Sequence, residues 1–130
     1  MKKFVFLVVF TILSLGTALA DNELENVCKE LTSECPIDCG NGIVMTKMNI
    51  LGDYLVYHYS APDDQVKMIK ENKNWYKNQL KSTIQNPSTI PFIELVVKEG
   101  KGVCFRIKGN KSGDYVDVVF SNSEVKNLIR

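Results

Sequence analysis

The chain has a single histidine and a single tryptophan. With no second imidazole to join His58, a histidine-built metal centre is excluded. No Gly-x-Ser-x-Gly or comparable nucleophile motif accompanies it either, so hydrolase chemistry has no visible nucleophile or orienting acid. The Cys-x-x-Cys spacing of thioredoxin-like redox proteins is missing. Low-complexity and linker-like stretches are also lacking, so the 130 residues are one domain's worth of ordinary globular composition. Charge of neither sign is in excess: the formal net charge is +1, and nothing in that balance favours nucleic acid.

The one long apolar run lies at the start. Lys2 and Lys3 precede an apolar stretch from Phe4 to Leu15, and Ala18-Leu19-Ala20 is a small-residue cleavage pattern. This reads as a signal peptide spanning residues 1–20, too short for a membrane span. The mature chain then begins at Asp21 as a single α+β domain without a membrane span. Two lysines leave with the leader, so its net charge falls from +1 to −1. A Met-Lys-Lys start and a cleaved leader place the protein in the periplasm or outside a bacterial cell.

Four cysteines remain: Cys28, Cys35, Cys39 and Cys104. Export puts them where disulfides persist, so two structural disulfides are expected, with three pairings open. Three of the cysteines lie near the N-terminus and the fourth lies far along the chain, so at least one bridge should staple the N-terminal segment to the sheet. A zinc site from all four has the right ligand count but not a familiar ribbon spacing. The sequence implies no cofactor or metal.

What organises the chain is a stretch that occurs twice. Gly52–Ser60 reads GDYLVYHYS, and Gly113–Ser121 reads GDYVDVVFS. Each is the second strand of a hairpin, roughly 43–49 with 54–59 and 103–108 with 115–121. Each ends in a serine three residues before an acid, Ser60 with Asp63 and Ser121 with Glu124, which is the pattern of a capping box. The implied architecture is ββα twice, giving an antiparallel sheet of about four strands.

Strand alternation assigns the faces. Asp117 belongs away from the core, which places Val116, Val118 and Phe120 inward and, by analogy, Leu55, Tyr57 and Tyr59 with them. The other face then carries Tyr54, Val56 and His58, with Tyr115 and Val119. It is either covered by helices or a binding surface.

The helices follow from spacing. Asp21 to Thr32 presents Leu24, Val27, Cys28 and Leu31 on one stripe. A long amphipathic helix starts at Pro62-Asp63-Asp64 and reaches Ile84, with Met68, Ile69, Trp75, Tyr76 and Leu80 toward the sheet and Lys67, Lys70, Lys73, Lys77 and Lys81 opposite. Residues 92–98 fit a helix ending at Gly100 better than a strand, and a short helix from Glu124 to Ile129 closes the chain.

Candidate contact residues are Tyr54, His58 and Tyr115 on the second sheet face, because tyrosine supplies rigid amphipathic area. Lys70 and Lys77 represent the lysine arc, which suits an acidic protein face or another anionic envelope component. Cys35-Pro36 followed by Gly52-Asp-Tyr-Leu-Val-Tyr-His-Tyr59 resembles a group of small exported bacterial proteins with a Cys-Pro before the first strand, then Gly-Asn/Asp-x-Leu-Val-Tyr-x-Tyr. The match covers roughly residues 35–59 and brings no activity with it. The extra cysteines depart from that pattern. The sequence thus leads to an exported, non-catalytic domain that binds a protein or envelope component. The alternative is a thiol-disulfide active protein using Cys35 and Cys39.

Overall fold

Both expected hairpins form, and what lies between them decides how they meet. In the computed structural model, residues 23–130 are described; the signal peptide expected at residues 1–20 lies outside them. The elements run α1 (Glu23–Ser33), β1 (Ile37–Gly40), β2 (Ile43–Leu51), β3 (Tyr54–Ala61), α2 (Asp63–Glu71), α3 (Lys73–Ile84), α4 (Ile90–Lys98), β4 (Gly102–Gly109), β5 (Tyr115–Phe120) and α5 (Asn122–Leu128).

The sheet has five strands in the order β1-β2-β3-β4-β5. It is mixed, which corrects the antiparallel sheet of about four strands. The hairpins β2–β3 and β4–β5 are antiparallel, but β3 and β4 run parallel, with Tyr54 beside Gly102 and Ala61 beside Gly109. The connection from β3 to β4 carries α2, α3 and α4, long enough to return the chain to the end of the sheet where β3 began. The extra strand, β1, pairs only with the start of β2. Its turn-rich surroundings hide it in the sequence.

One face of the sheet makes the core. The registers align Leu55 with Val103 and Phe120, Tyr57 with Phe105 and Val118, and Tyr59 with Ile107 and Val116. All nine are buried, as the alternation predicts. Tyr57 stacks on Phe105 at 4.9 Å between ring centroids, and Phe105 meets Phe120 edge-on at 6.0 Å. The buried side chains of all five described helices join this same cluster. Val56 and Cys104, on the opposite face, are buried but stand outside it. The domain is therefore two layers, helices on one side of the sheet and none of the described helices on the other.

The expected long helix is two helices broken at Asn72, whose backbone lies at φ −131° and ψ 40°. The buried stripe is Val66, Ile69, Tyr76, Leu80 and Ile84, while Met68 and Trp75 are exposed. That stripe differs from the arc read from sequence because two large apolar residues outside the core, Met68 and Trp75, drew the arc toward them. Val66, which the expected arc does not include, belongs to the buried stripe. Helix α4 covers the ambiguous stretch 92–98, as expected.

One of the two expected capping boxes forms. Ser121 accepts from the Glu124 amide, and the Glu124 carboxylate accepts from the Ser121 amide. At α2 the cap residue is Pro62 with no side-chain bond, and Asp63 turns elsewhere. The two Gly-Asp-Tyr strands are inequivalent as well: β3 is central and β5 is an edge.

Candidate functional site

The second face of the sheet is built by the even-numbered residues of β3 and β4; it is buried at Val56 and Cys104 and open around His58, Arg106 and Lys108. His58 on β3, Arg106 on β4 and Asp117 on β5 lie in one row across three strands. Arg106 Nε and its terminal nitrogen donate to the two Asp117 carboxylate oxygens at 2.8 and 2.9 Å, a bidentate fork. The guanidinium also sits over the Tyr115 ring, 4.8 Å from its centroid. Tyr115 itself is 50% exposed.

On the other side of His58, β2 carries a bulge between Met45 and Lys47. The extra residue, Thr46, donates its hydroxyl to the His58 carbonyl at 3.3 Å. Bulges re-aim neighbouring side chains, and here Lys47 comes opposite His58. His58 Nε2 lies 2.7 Å from Asn49 Oδ1. Since an amide oxygen only accepts, His58 donates from Nε2 to Asn49. Burial, then the Lys47 and Arg106 charges, lower its pKa from the usual 6.5 to about 4, with Asp117 opposing. Neutral imidazole at physiological pH has the form of a general base. However, among the described residues no carboxylate orients a ring nitrogen in the manner of a catalytic triad, and no serine or cysteine nucleophile bonds to the ring.

These groups line a groove of ≈ 610 Å³ whose walls include Thr46, Lys47, His58, Arg106, Lys108 and Tyr115. Among the described residues no aspartate or glutamate lines it. The structure thus brings His58 and Tyr115 into one groove. Tyr54 is on the same face but at the other end of β3, where its ring lies over Gly102: a Cβ there would come within 2.9 Å of it. Lys70 and Lys77 lie on the helical side. Lys70 pairs with Asp114, and Lys77 pairs with Glu124 at 2.8 Å and covers the Phe120 ring at 5.0 Å. Both lysines tie helices to the second hairpin and its following helix. The sequence reading passed over Lys47, Arg106 and Lys108; the only signal for them was Asp117, a charge inside an otherwise apolar strand that demanded a partner.

The expected disulfides do not form: Cys28, Cys35, Cys39 and Cys104 are all free thiols. Cys28 points from α1 into the core, while Cys104 is on the open face, so the sheet separates them. Cys35 and Cys39 flank the start of β1, and their thiols donate to the Leu31 and Ile37 carbonyls at 3.5 and 3.6 Å. Burial raises the pKa of both, with the Glu34 charge adding at Cys35 and Asp38 at Cys39. Thiol exchange needs the opposite shift. Among the described residues no group of three His, Cys, Asp or Glu side chains could hold a metal ion, and no helix is long and apolar enough to cross a membrane.

No known protein family matches the chain, and no curated protein sequence matches it. Its fold is similar to two solved structures. One is a protein of Pseudomonas aeruginosa assigned as secreted, with a TM-score of 0.68 and 18% identity over 85% of this chain and 99% of that one. The other is a pilotin from the type 2 secretion system of Vibrio vulnificus, with a TM-score of 0.56 and 11% identity over 78% of this chain and 87% of that one. At such identities the likeness establishes a shared fold.

Proposed function

We propose that this protein is an exported, non-catalytic binding domain of the bacterial envelope that holds a protein partner against the open face of its sheet. The observation that carries the reading is the one-sided stacking. The described helices all pack on one face, while the other presents a groove walled by Tyr115, Arg106, His58 and Lys47. Two neighbours of the same fold, one assigned as secreted and one a secretion-system pilotin, add support for an envelope setting. Tyrosine and arginine stacked on each other are the side chains that most often anchor protein contacts.

The test is site-specific photo-crosslinking in living cells. A photoreactive side chain in place of Tyr115 should give a discrete adduct with a partner, and one in place of the exposed Lys67 on α2 should not. The adduct should vanish when His58 and Arg106 are also replaced by alanine in a variant that still folds. Crosslinking from Lys67 alone, or an adduct indifferent to those substitutions, would move the binding surface to the helices.

A further inference from the structure

We infer that the groove on the open face recognises an acidic, extended segment of the protein partner, held between Lys47 and Lys108. This rests on the binding role proposed above and names the chemistry of what is bound.

The charges in and around the groove do not balance. Arg106 is matched by Asp117, but neither Lys47 nor Lys108 has a carboxylate within ion-pair distance among the described residues. With His58 neutral, the groove and its rim carry two uncompensated cations. Both are exposed, so each is free to meet an anion without first breaking an ion pair.

The spacing suits a segment. Lys47 stands in the His58 row of β2, and Lys108 stands two residues further along, two strands away on β4. Strand separation and rise put their attachment points about 12 Å apart. Carboxylates three or four residues apart on an extended chain match that span at roughly 3.3 Å per residue, so each lysine can meet its own carboxylate without bending toward the other. Between the two lysines runs β3 with His58, and beside Lys108 the Tyr115 ring, stacked on Arg106, offers apolar area for the chain to rest on.

The lone histidine of the chain supplies a single imidazole signal for the test. Blocked hexaglutamate is titrated into the exported protein while the His58 ring resonances are followed by NMR, with hexaglutamine, inorganic phosphate and oligogalacturonate as comparators. Hexaglutamate should shift the resonances, raise the His58 pKa and bind more weakly as salt is added. Lys47→Ala with Lys108→Ala, both exposed and expected to leave thermal unfolding unchanged, should weaken binding by at least about fivefold. Asp117→Asn, by freeing Arg106, should strengthen it. An unmoved His58 signal, equal binding by hexaglutamine, phosphate or oligogalacturonate, or indifference to the lysine pair would overturn the inference. If the Tyr115 crosslink persists in the double lysine variant, the binding face stands and the acidic segment falls.

Discussion

Asp63, the first residue of α2, reaches 49 positions along the chain to hold Ser112 in the turn between β4 and β5. Its Oδ1 accepts from the Ser112 amide at 3.2 Å, the Ser112 hydroxyl at 3.1 Å and the Lys111 amide at 3.4 Å. Gly109 is needed beneath it, because a Cβ there would lie 2.2 Å from the same oxygen. The turn so fixed carries Lys108 and Tyr115 at its two ends, and both line the groove.

Asp63→Ala should therefore loosen the turn before it loosens the domain. The expected outcome is faster amide exchange at Lys111 and Ser112, with little change at the core strands. The bonds from Ser112 hold the Asp63 pKa below the usual 3.8. The stabilisation is then full above that ordinary value and is lost as pH falls through the lower folded one. A Ser112 amide shift that does not change in that acid window, or exchange unaltered by Asp63→Ala, would show that the contact does not anchor the turn.

Gly102 is a second position where the backbone leaves no room. A Cβ would lie 2.3 Å from the Phe120 carbonyl oxygen as well as 2.9 Å from the Tyr54 ring. The ring could swing away, but the carbonyl belongs to the paired strand β5 and cannot move alone. Gly102→Ala should cost about 1–3 kcal/mol in urea unfolding. Adding Tyr54→Ala should recover little of it, because the backbone clash remains; full recovery would place the whole cost on the ring.

How much of this was legible in the sequence differs between the layers. Period-two alternation placed Leu55, Tyr57, Tyr59, Val116, Val118 and Phe120 on one face, because a strand offers only two faces and Asp117 excluded one of them. Helix faces are continuous, so exposed Met68 and Trp75 could turn the arc away from Val66 without any contradiction appearing. Ser60 with Asp63 has the same spacing as Ser121 with Glu124, yet the long-range bonds to Ser112 captured the acid; local pattern cannot see a competitor 49 residues away. The groove was half legible. His58 and Tyr115 follow from strand parity, but Lys47 depends on a bulge, and its meeting with Arg106 depends on the parallel pairing of β3 with β4.

The thiols yield a prediction opposite to the sequence expectation. Cys28 and Cys104 are buried with their pKa pushed up to about 12, chiefly by desolvation, while Cys35 and Cys39 are half-buried. Alkylation of the exported, unreduced protein at neutral pH should modify Cys35 and Cys39 slowly and the other two only after denaturation. Mass after denaturation without reductant should show four alkylated cysteines. Four blocked cysteines would return the bridges to the fold.

His58 should make acid stability distinctive. In the unfolded chain it takes up a proton as pH falls below about 6.5, but in the folded chain only near 4, because burial and the Lys47 and Arg106 charges oppose the imidazolium more than Asp117 favours it. Between those values the unfolded state binds more protons, so stability declines as pH falls through the window. His58→Gln removes the titration and can keep a donor toward Asn49. Carboxylates titrate in both proteins, so the comparison isolates the imidazole. The urea midpoint of the parent should drop more between pH 7.5 and 4.5 than that of the variant, and the lone imidazole should titrate by NMR near pH 4. Equal drops, or an ordinary titration near 6.5, would mean that His58 stands in water and that Lys47 and Arg106 are not close around it.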